Sequence, residues 1–400
     1  MTVPQGSSAL ANLRILDLTR VRSGPTCCRI FADFGADVIK IEAPPGVDPN
    51  EGMSGPRDGS DMQNLHRNKR SITLNLKAPA GLAVFKRLVA TADVVVENFR
   101  PDVKDRLGIA YDDLKAINHR IILASISGFG QSGPYRGRAG FDQIAQGMGG
   151  LMGVTGLPGQ GPVRAGIAVA DTAAGLYAAI GIFVALSERE RSGKGQWVSA
   201  SLLQAQIAMM DFQAAKYLVD KVVPQQAGND HPYSTPMGVV RTSDGFINIA
   251  VGGEGQWRLF CNAIGQPELR DDRRYATQDV RLENRPALNA LLAGIFATRP
   301  SAEWLKALEQ VGVPAGPIYM MNEVFDDPQV QHLRIAVQVP KASDSADAGL
   351  TLVGQPIDLS RTPSAYRGLL PEAGADNDDV LKKIGLNDSE LDALRRERVI

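Results

Sequence analysis

The sequence contains little cysteine and has no excess of charge of either sign. Only three of its 400 residues are cysteines, namely Cys27, Cys28 and Cys261. Three thiols, two of them adjacent, provide neither a disulfide framework nor the ligand spacing of a zinc site, so we expect a reducing compartment. The 43 basic residues nearly balance the 44 acidic ones, whereas nucleic-acid-binding proteins usually carry a concentrated basic excess. We therefore expect no nucleic-acid partner.

Histidine is also scarce, and no catalytic triad motif is present. The four histidines are scattered at positions 66, 119, 231 and 332, none of them in a metal-binding spacing. The sequence contains no G-x-S-x-G motif and no arrangement of cysteine with histidine that indicates a nucleophile. We therefore expect no bound metal, and a carboxylate is the expected nucleophile if the chain has one.

Long apolar runs are missing as well. The segment that precedes Leu13 contains no Lys or Arg and no apolar core, so it does not resemble a secretory signal. The apolar stretch from Thr172 to Leu186 is shorter than the roughly 20 residues that cross a bilayer. These features predict a cytoplasmic protein without a membrane partner.

The first 130 residues alternate between strand and helix patterns. Because the strands are nearly continuous in Val, Ile and Leu, they predict a parallel sheet covered by helices on both faces. The expected fold class is α/β, with a Rossmann-like domain. The predicted strands are Leu13–Thr19, Ala36–Glu42, Ser71–Leu76, Asp93–Glu97 and Arg120–Ser125, and the predicted helices are Thr26–Phe34, Pro79–Thr91 and Tyr111–Asn118.

In such a sheet, ligands bind beyond the carboxyl ends of the strands. Those ends read Arg20–Pro25, Glu97–Pro101 and Ser127–Gly130, where arginines, amides and glycines suit an anionic ligand. No G-x-G-x-x-G fingerprint follows the first strand, so NAD and FAD are not expected.

The rest of the chain is too long to belong to the same core, and its pattern changes near residue 225. We place a large domain at 1–200, a linker at 201–225 and a smaller α+β domain at 226–320. The predicted elements are an apolar helix from Asp171 to about Glu188, helical material at Ala200–Val219, a hairpin within Met237–Ala250, helices at Gly255–Ile264, Ala287–Thr298 and Ser301–Val311 (with Ser301 as N-cap), strands at Ala336–Val339 and Leu350–Leu359, and helices from Asn377 and Asp388.

Three groups of residues have two readings each. The basic run His66–Arg70 is either a solvated face or, with Arg100 and Arg106, a phosphate site. Asn98 and Phe99 are either ordinary loop residues or contacts to a ring of the ligand, with the amide of Asn98 bonded to the ring edge and Phe99 stacked on the ring face. Asp171 is either the cap of its helix or a catalytic carboxylate.

Motifs along the chain resemble family III CoA-transferases, the group that includes formyl-CoA, carnitine and succinyl-CoA-dependent dicarboxylate transferases. The resemblance extends from about residue 10 onward. The motifs that carry it are Val21–Pro25, Gly35–Glu42, Asn68–Ser71, Val96–Phe99, Ser127–Pro134, Arg138–Asp142, Gly166–Gly175 and Gly193–Gln196.

The resemblance implies a Rossmann-like large domain built from both ends of the chain, so that 321–400 returns to it, and an interlinked homodimer. It also implies that Asp171 matches the family's catalytic aspartate, that a CoA thioester is the co-substrate, and that no other cofactor is needed. Positions that resemble CoA contacts are Val21, Arg22, Leu74, Asn75, Lys77, Asn98, Phe99, Arg100, Arg106, Arg138 and Ala139.

The sequence also departs from relatives within this group. Ala43 stands where formyl-CoA transferase has an arginine, 226–238 lacks that enzyme's glycine run, and Asp376 replaces a commonly seen histidine. In the related α-methylacyl-CoA racemases a histidine occupies the position that corresponds to Phe141.

The expected function is transfer of CoA from succinyl-CoA or a similar acyl-CoA to a small carboxylic acid, through a covalent aspartyl-CoA intermediate. The alternatives are a racemase-like isomerase and a CoA-binding protein without catalysis.

Overall fold

The computed structural model describes residues 7–48, 52, 55–341 and 349–400. These residues form two compact units. Unit 1 comprises the described residues of Met1–Leu151, Ala165–Ala215 and Gln331–Ile400, and unit 2 those of Met152–Arg164 and Lys216–Val330.

The segment Met152–Arg164 belongs to unit 2, although the sequence-based boundaries assign it to the large domain. The side-chain amide of Gln226 donates hydrogen bonds to the carbonyl oxygens of Thr155 and Gly161, both at 2.7 Å. These bonds join two stretches of chain that are distant in sequence, which is why composition alone does not reveal their association.

The strands belong to three separate sheets. In chain order they are β1 (Arg14–Asp17), β2 (Asp37–Glu42), β3 (Arg70–Thr73), β4 (Val94–Glu97), β5 (Ile122–Ser127), β6 (Trp197–Ser201), β7 (Met237–Arg241), β8 (Phe246–Ala250), β9 (Ala315–Pro317), β10 (Ala336–Val339) and β11 (Leu350–Val353).

The helices cover both faces of the largest sheet and surround the smaller ones. They are α1 (Ser23–Asp33), α2 (Ser60–His66), α3 (Pro79–Val89), α4 (Pro101–Leu107), α5 (Tyr111–Ile117), α6 (Asp142–Met148), α7 (Leu151–Val154), α8 (Val169–Ser192), α9 (Leu202–Met209), α10 (Asp211–Asp220), α11 (Gly253–Ala263), α12 (Gln278–Glu283), α13 (Arg285–Phe296), α14 (Ser301–Gln310), α15 (Met321–Asp326), α16 (Pro328–Leu333), α17 (Asn377–Lys383) and α18 (Asp388–Arg396), with a short 3-10 helix at Pro267–Arg270.

The main sheet of unit 1 is parallel and has the order β3-β2-β1-β4-β5-β6. Leu16 of β1 pairs with Ile39 of β2 on one side and with Val95 of β4 on the other. The strands predicted from apolar runs are confirmed, with ends shifted by at most three residues. β6 was not predicted, because its residues alternate in exposure and form no apolar run.

Two apolar cores cover the two faces of this sheet, and successive strand residues point to opposite cores. Ile15 belongs to the core that contains α1, α6, α8 and α9, whereas Leu16 belongs to the core that contains α3, α5, α17 and α18. The predicted α/β class with a parallel sheet and helices on both faces is confirmed.

α8 is longer than the predicted helix, and one of its faces is made of small residues. Ala170, Ala174 and Ala178 are buried on this face, against α1 and the sheet. A Cβ atom at Gly175 would lie 2.4 Å from the carbonyl oxygen of Ser23, so glycine is required where the two helices meet. The small residues therefore bring the start of α1 close to the start of α8.

The opposite face of α8 is apolar and exposed. Leu176, Ile180 and Val184 follow one another at four-residue spacing and are all exposed. By length and composition alone, the 24 residues of α8 are enough to cross a membrane. The expectation that the apolar stretch from Thr172 to Leu186 is too short for this was therefore wrong, because the helix extends beyond that stretch at both ends. Part of the helix is nevertheless buried in the core of unit 1, as in core helices of soluble proteins.

Residues 376–399 cover the open edge of the sheet at β3. The Asp376 carboxylate accepts a hydrogen bond from the Ser71 amide at 2.8 Å, and Asn377 Oδ1 accepts one from the Thr73 amide at 2.9 Å. The amide of Asn75 donates to the carbonyl oxygen of Val399 at 2.8 Å. The departure at Asp376 thus has a structural role, because its carboxylate satisfies an edge strand.

Unit 2 contains the antiparallel sheet β7-β8-β9 and a core around Trp257, Phe260, Phe296 and Trp304. The hairpin predicted within Met237–Ala250 is confirmed. β9 was not predicted, because it is a three-residue edge strand in a Pro- and Gly-rich segment.

The predicted N-cap of α14 was wrong. Ser301 is the first helical residue, and Pro300 occupies the cap position. The carboxylate of Asp244, in the turn between β7 and β8, accepts hydrogen bonds from the Ser301 amide at 2.8 Å and from its hydroxyl at 2.9 Å. A residue distant in sequence therefore caps this helix.

Candidate active site

A cavity of about 980 Å³ lies in unit 1 at the carboxyl ends of β1 and β4. β1 is the strand at which the chain changes direction across the sheet, since β2 lies on one side of it and β4 on the other. Ligands of open α/β sheets bind in the crevice at such a switch point. The walls come mainly from the loops that follow β1, β3 and β4, with Gly140 and Asp171 contributed by later parts of the chain.

The structure brings together nearly all the residues that the sequence marked as site candidates. Arg138 is the exception, because its guanidinium stacks on Tyr135 at 4.5 Å and it does not line the cavity. Those that line it are Val21, Arg22, Leu74, Asn75, Lys77, Asn98, Phe99, Arg100, Arg106, Ala139 and Asp171.

Asn98 joins the two loops at the switch point. Its side-chain oxygen accepts a hydrogen bond from the Arg20 amide at 3.0 Å, and its Nδ2 donates to the Arg20 carbonyl oxygen at 2.8 Å. The adjacent Val21 has a φ of 58°, a left-handed conformation that β-branched residues rarely adopt. Asn98 thus holds a strained loop in place. Because the oxygen and the nitrogen of its amide both bond to the backbone of Arg20, a role for this amide in hydrogen bonding to the edge of a ligand ring is disfavoured.

Three cations meet at the rim of the cavity that is formed by α4 and the loop after β3. Lys77, Arg100 and Arg106 are all exposed, and the two arginines share Asp102 at 3.7 and 3.3 Å. Exposed ion pairs of this kind contribute about 0–1 kcal/mol, so an anionic ligand can replace them at little cost. The rim therefore suits phosphate groups.

Asp171 is the third residue of α8, and it does not cap the helix. The cap position is Ala168, which makes no side-chain cap hydrogen bond. Instead Oδ1 of the buried Asp142 accepts hydrogen bonds from the amides of Ala170 at 2.8 Å and Asp171 at 3.2 Å. The capping reading of Asp171 was therefore wrong, and its half-buried carboxylate faces the cavity.

Asp142 is itself held in place. The side-chain amide of Gln146 donates to Oδ2 of Asp142 at 2.6 Å and to the carbonyl oxygen of Ile167 at 3.1 Å. Gln146 Oε1 in turn accepts a hydrogen bond from the Ala165 amide at 2.8 Å. This network fixes the start of α8, and only the motif Arg138–Asp142 indicates it in the sequence.

The environment of Asp171 favours its neutral form. Burial is the largest cause and the negative charge of Asp142 the second, and together they raise the pKa of Asp171 from 3.8 to about 6. A hydrogen bond from the Ser23 side chain and the positive charge of Arg22 act in the opposite direction. At neutral pH the group is an ionised but poorly solvated carboxylate, which suits a nucleophile.

A family model for CoA-transferase family III matches residues 10–377. The chain belongs to CoA-transferase family III. It is 39% identical to a succinate–glutarate CoA-transferase of Agrobacterium fabrum, over 96% of this chain and 97% of that protein. It is 36% identical to a succinyl-CoA–D-citramalate CoA-transferase of Chloroflexus aurantiacus, over 98% of each chain.

Solved structures share the fold of this chain. The transferase superposes on a CAIB/BAIF family protein from Brucella suis with a TM-score of 0.81 and 35% identity, over 95% of this chain and all of that one. A hypothetical protein from Mycobacterium tuberculosis gives a TM-score of 0.83 at 27% identity, over 94% of this chain and all of that one.

The basic run of the transferase at His66–Arg70 matches neither of its two predicted roles. Arg67 and Lys69 are buried, where they pair with Asp33 at 2.7 Å and Asp17 at 2.8 Å. Burial alone would raise the pKa of Asp17, but the charges of Lys69 and Lys40 more than offset it and hold the pKa below its usual value. Two cations of the run thus form buried ion pairs with carboxylates of α1 and β1.

Metal ligation has no structural support in the part of the chain that the structure describes. No three His, Cys, Asp or Glu side chains there are grouped so that they could hold an ion.

Proposed function

We propose that this transferase moves CoA from succinyl-CoA or a similar acyl-CoA to a carboxylic acid, through a covalent aspartyl-CoA intermediate on Asp171. The observation that carries the proposal is the position of Asp171, whose carboxylate lies in the same cavity as all the predicted CoA contacts except Arg138. The names of the relatives, which act on succinate, glutarate or D-citramalate, support dicarboxylic acids as substrates.

The chemistry conserves one thioester bond and so requires no ATP. The Asp171 carboxylate attacks the thioester carbonyl carbon, the C–S bond breaks, and a mixed anhydride and CoA thiolate result. The thiolate then attacks the aspartyl carbon of the anhydride, which releases the first acid and leaves aspartyl-CoA. The acceptor carboxylate attacks this thioester to form a second anhydride, and the thiolate attacks its acyl carbon to give the new acyl-CoA and free Asp171.

The charged residues that line the cavity support one orientation for CoA. We place the phosphates at the rim with Lys77, Arg100 and Arg106, and the thioester at Asp171. The apolar side chains of Leu74 and Phe99, in the loops after β3 and β4, also line the cavity. In this arrangement the large unit acts as a Rossmann-like domain, and the CoA thioester is a co-substrate rather than a bound cofactor.

We further propose a homodimer with interlinked subunits that works in the cytoplasm. The exposed apolar stripe of Leu176, Ile180 and Val184 supports association, because soluble monomers rarely leave such surfaces open to water. Native mass spectrometry at micromolar concentration should show a dimer, and a folded monomer would contradict this part of the proposal.

Intact-protein mass spectrometry tests the intermediate. Wild type incubated with succinyl-CoA should gain a CoA adduct that hydroxylamine removes. Asp171→Asn should fold and bind CoA, yet show neither adduct nor transfer, whereas the control Asp392→Asn removes an exposed carboxylate on α18 and should behave as wild type. Full turnover by Asp171→Asn would overturn the proposal.

Phe141 argues against racemisation. A racemase needs an acid and a base on opposite faces of the α carbon, and Phe141, 61% exposed at the cavity wall, cannot carry a proton. Incubation with 2-methylacyl-CoA in heavy water should therefore give no rapid enzyme-dependent deuterium uptake at the α carbon. Such uptake would favour the isomerase alternative.

A further inference from the structure

The end of the cavity that contains Asp171 is negatively charged, which raises the question of how a dicarboxylic acid is accommodated there. Asp171 and Asp142 lie in contact through the backbone at the start of α8. When one carboxyl carbon of a dicarboxylic acid is at Asp171, the second carboxylate must remain nearby. A carboxylate moved out of water into such a site needs a cation or several hydrogen-bond donors.

Of the cations that line the cavity, Arg22 is the one placed to meet this second carboxylate. It immediately precedes α1, and the side chain of the following residue, Ser23, bonds to the carboxylate of Asp171. Arg20 also lines the cavity, but its guanidinium pairs with Asp48. Lys77, Arg100 and Arg106 belong to the rim formed by α4 and the β3 loop. The positive charge of Arg22 also acts to lower the pKa of Asp171.

The guanidinium of Arg22 retains donors for a ligand. Its side chain is 35% exposed and makes one hydrogen bond to the described residues, from Nη2 to Asp61 Oδ2 at 2.8 Å. Asp61 is 52% exposed, so this ion pair is weak and holds the arginine without consuming its remaining N–H groups. The planar fork of N–H donors in arginine matches a carboxylate in a bidentate fashion.

We infer that Arg22 binds the distal carboxylate of dicarboxylic acyl groups and thereby selects dicarboxylic over monocarboxylic acids. This inference rests on the proposed CoA transfer at Asp171, and it gives Arg22 a role different from the CoA contact that the resemblance implies. It concerns the acid half of the reaction and leaves CoA binding to the rim.

The test compares two acceptors that differ only at the distal end, glutarate and pentanoate, with one fixed acyl-CoA donor so that effects on the donor cancel. Arg22→Gln should lower the ratio of kcat/KM for glutarate to that for pentanoate by about 10- to 100-fold, the range for loss of a charge-assisted hydrogen bond. The loss should lie mainly in the KM for glutarate, because the contact is made in both the bound state and the transition state. Arg22→Lys should restore part of the ratio.

Two controls separate the possible outcomes. Arg396→Gln removes an exposed cation on α18 and should leave the ratio unchanged, and the affinity of Arg22→Gln for free CoA should match wild type. If Arg22→Gln lowers kcat/KM equally for glutarate and pentanoate, or lowers the affinity for CoA as much as the kcat/KM for glutarate, the inference is overturned while CoA transfer itself stands. A wild type that transfers CoA to neither acid would instead overturn the proposed function, and the inference with it.

Discussion

Replacing Asp171 by Asn should stabilise the folded protein at neutral pH while it abolishes transfer. The pKa of Asp171 is raised from 3.8 to about 6, first by burial and then by Asp142. A carboxyl whose pKa is higher in the folded state binds its proton more tightly there, so ionisation at neutral pH weakens the fold. Asn has nearly the same shape and no charge, so it avoids this effect.

The magnitude follows from the two pKa values. One pKa unit corresponds to about 1.36 kcal/mol, so the ionised Asp171 lowers the free energy of unfolding by about 3 kcal/mol at pH 7. The effect falls to about 1.6 kcal/mol at pH 5 and vanishes below about pH 3, where Asp171 is protonated in both states. Loss of the favourable interaction with the N-terminus of α8, about 0.3–1 kcal/mol, reduces the gain. We expect a net stabilisation of about 2 kcal/mol at pH 7.

Urea unfolding of wild type and Asp171→Asn at pH 7 and pH 5 measures this difference. Both proteins must be compared at the same concentration, because association contributes to apparent stability. The amides at the start of α8 keep their acceptor in Asp142, so the substitution leaves the helix capped. A variant that is no more stable than wild type at pH 7, or that gains equally at both pH values, would refute the reasoning.

Three further predictions follow from the site. The rate of transfer should increase with pH as Asp171 ionises near pH 6. Asp142→Asn should move the midpoint of this increase to lower pH, because a negative charge beside Asp171 is removed. An unchanged pH–rate profile in the variant would contradict this. Asn98→Ala should raise the Kd for CoA about tenfold in calorimetry, because two hydrogen bonds that hold the β1 loop are lost. Lys69→Met should lower the free energy of unfolding by about 3–5 kcal/mol in urea titrations, because Asp17 is left charged and buried without this partner. The double variant that also carries Asp17→Asn should recover part of the lost stability.

The location of the site could be predicted from sequence because it depends on the ends of strands. Apolar runs identify β1, β4 and β5, and parallel strands bring their carboxyl ends to one edge. The residues that follow those runs, such as Arg22 and Asn98, must therefore lie close together. Asp171 required the family motif in addition, since nothing in its local sequence distinguishes it from a cap.

The roles that sequence could not assign depend on partners from distant parts of the chain. Lys69 reads as a surface cation until the fold places Asp17 of β1 beneath it. Asp142 caps α8 across a long glycine-rich connection, so the pattern around Asp171 contains no sign of it. In both cases the sequence shows the type of the residue, but only the fold shows which group it contacts.

The cover that residues 376–399 provide for β3 and for Asn75 has a consequence for biosynthesis. A ribosome makes the strand and the loop that follows it about 300 residues before it makes this cover, an interval of roughly 15–60 s at 5–20 residues per second. Throughout that interval the amides of Ser71 and Thr73 form an open sheet edge that other chains can pair with. Nascent chains therefore expose this edge until late in synthesis, and the amide of Asn75, in the cavity wall, gains its hydrogen bond only once Val399 has been added.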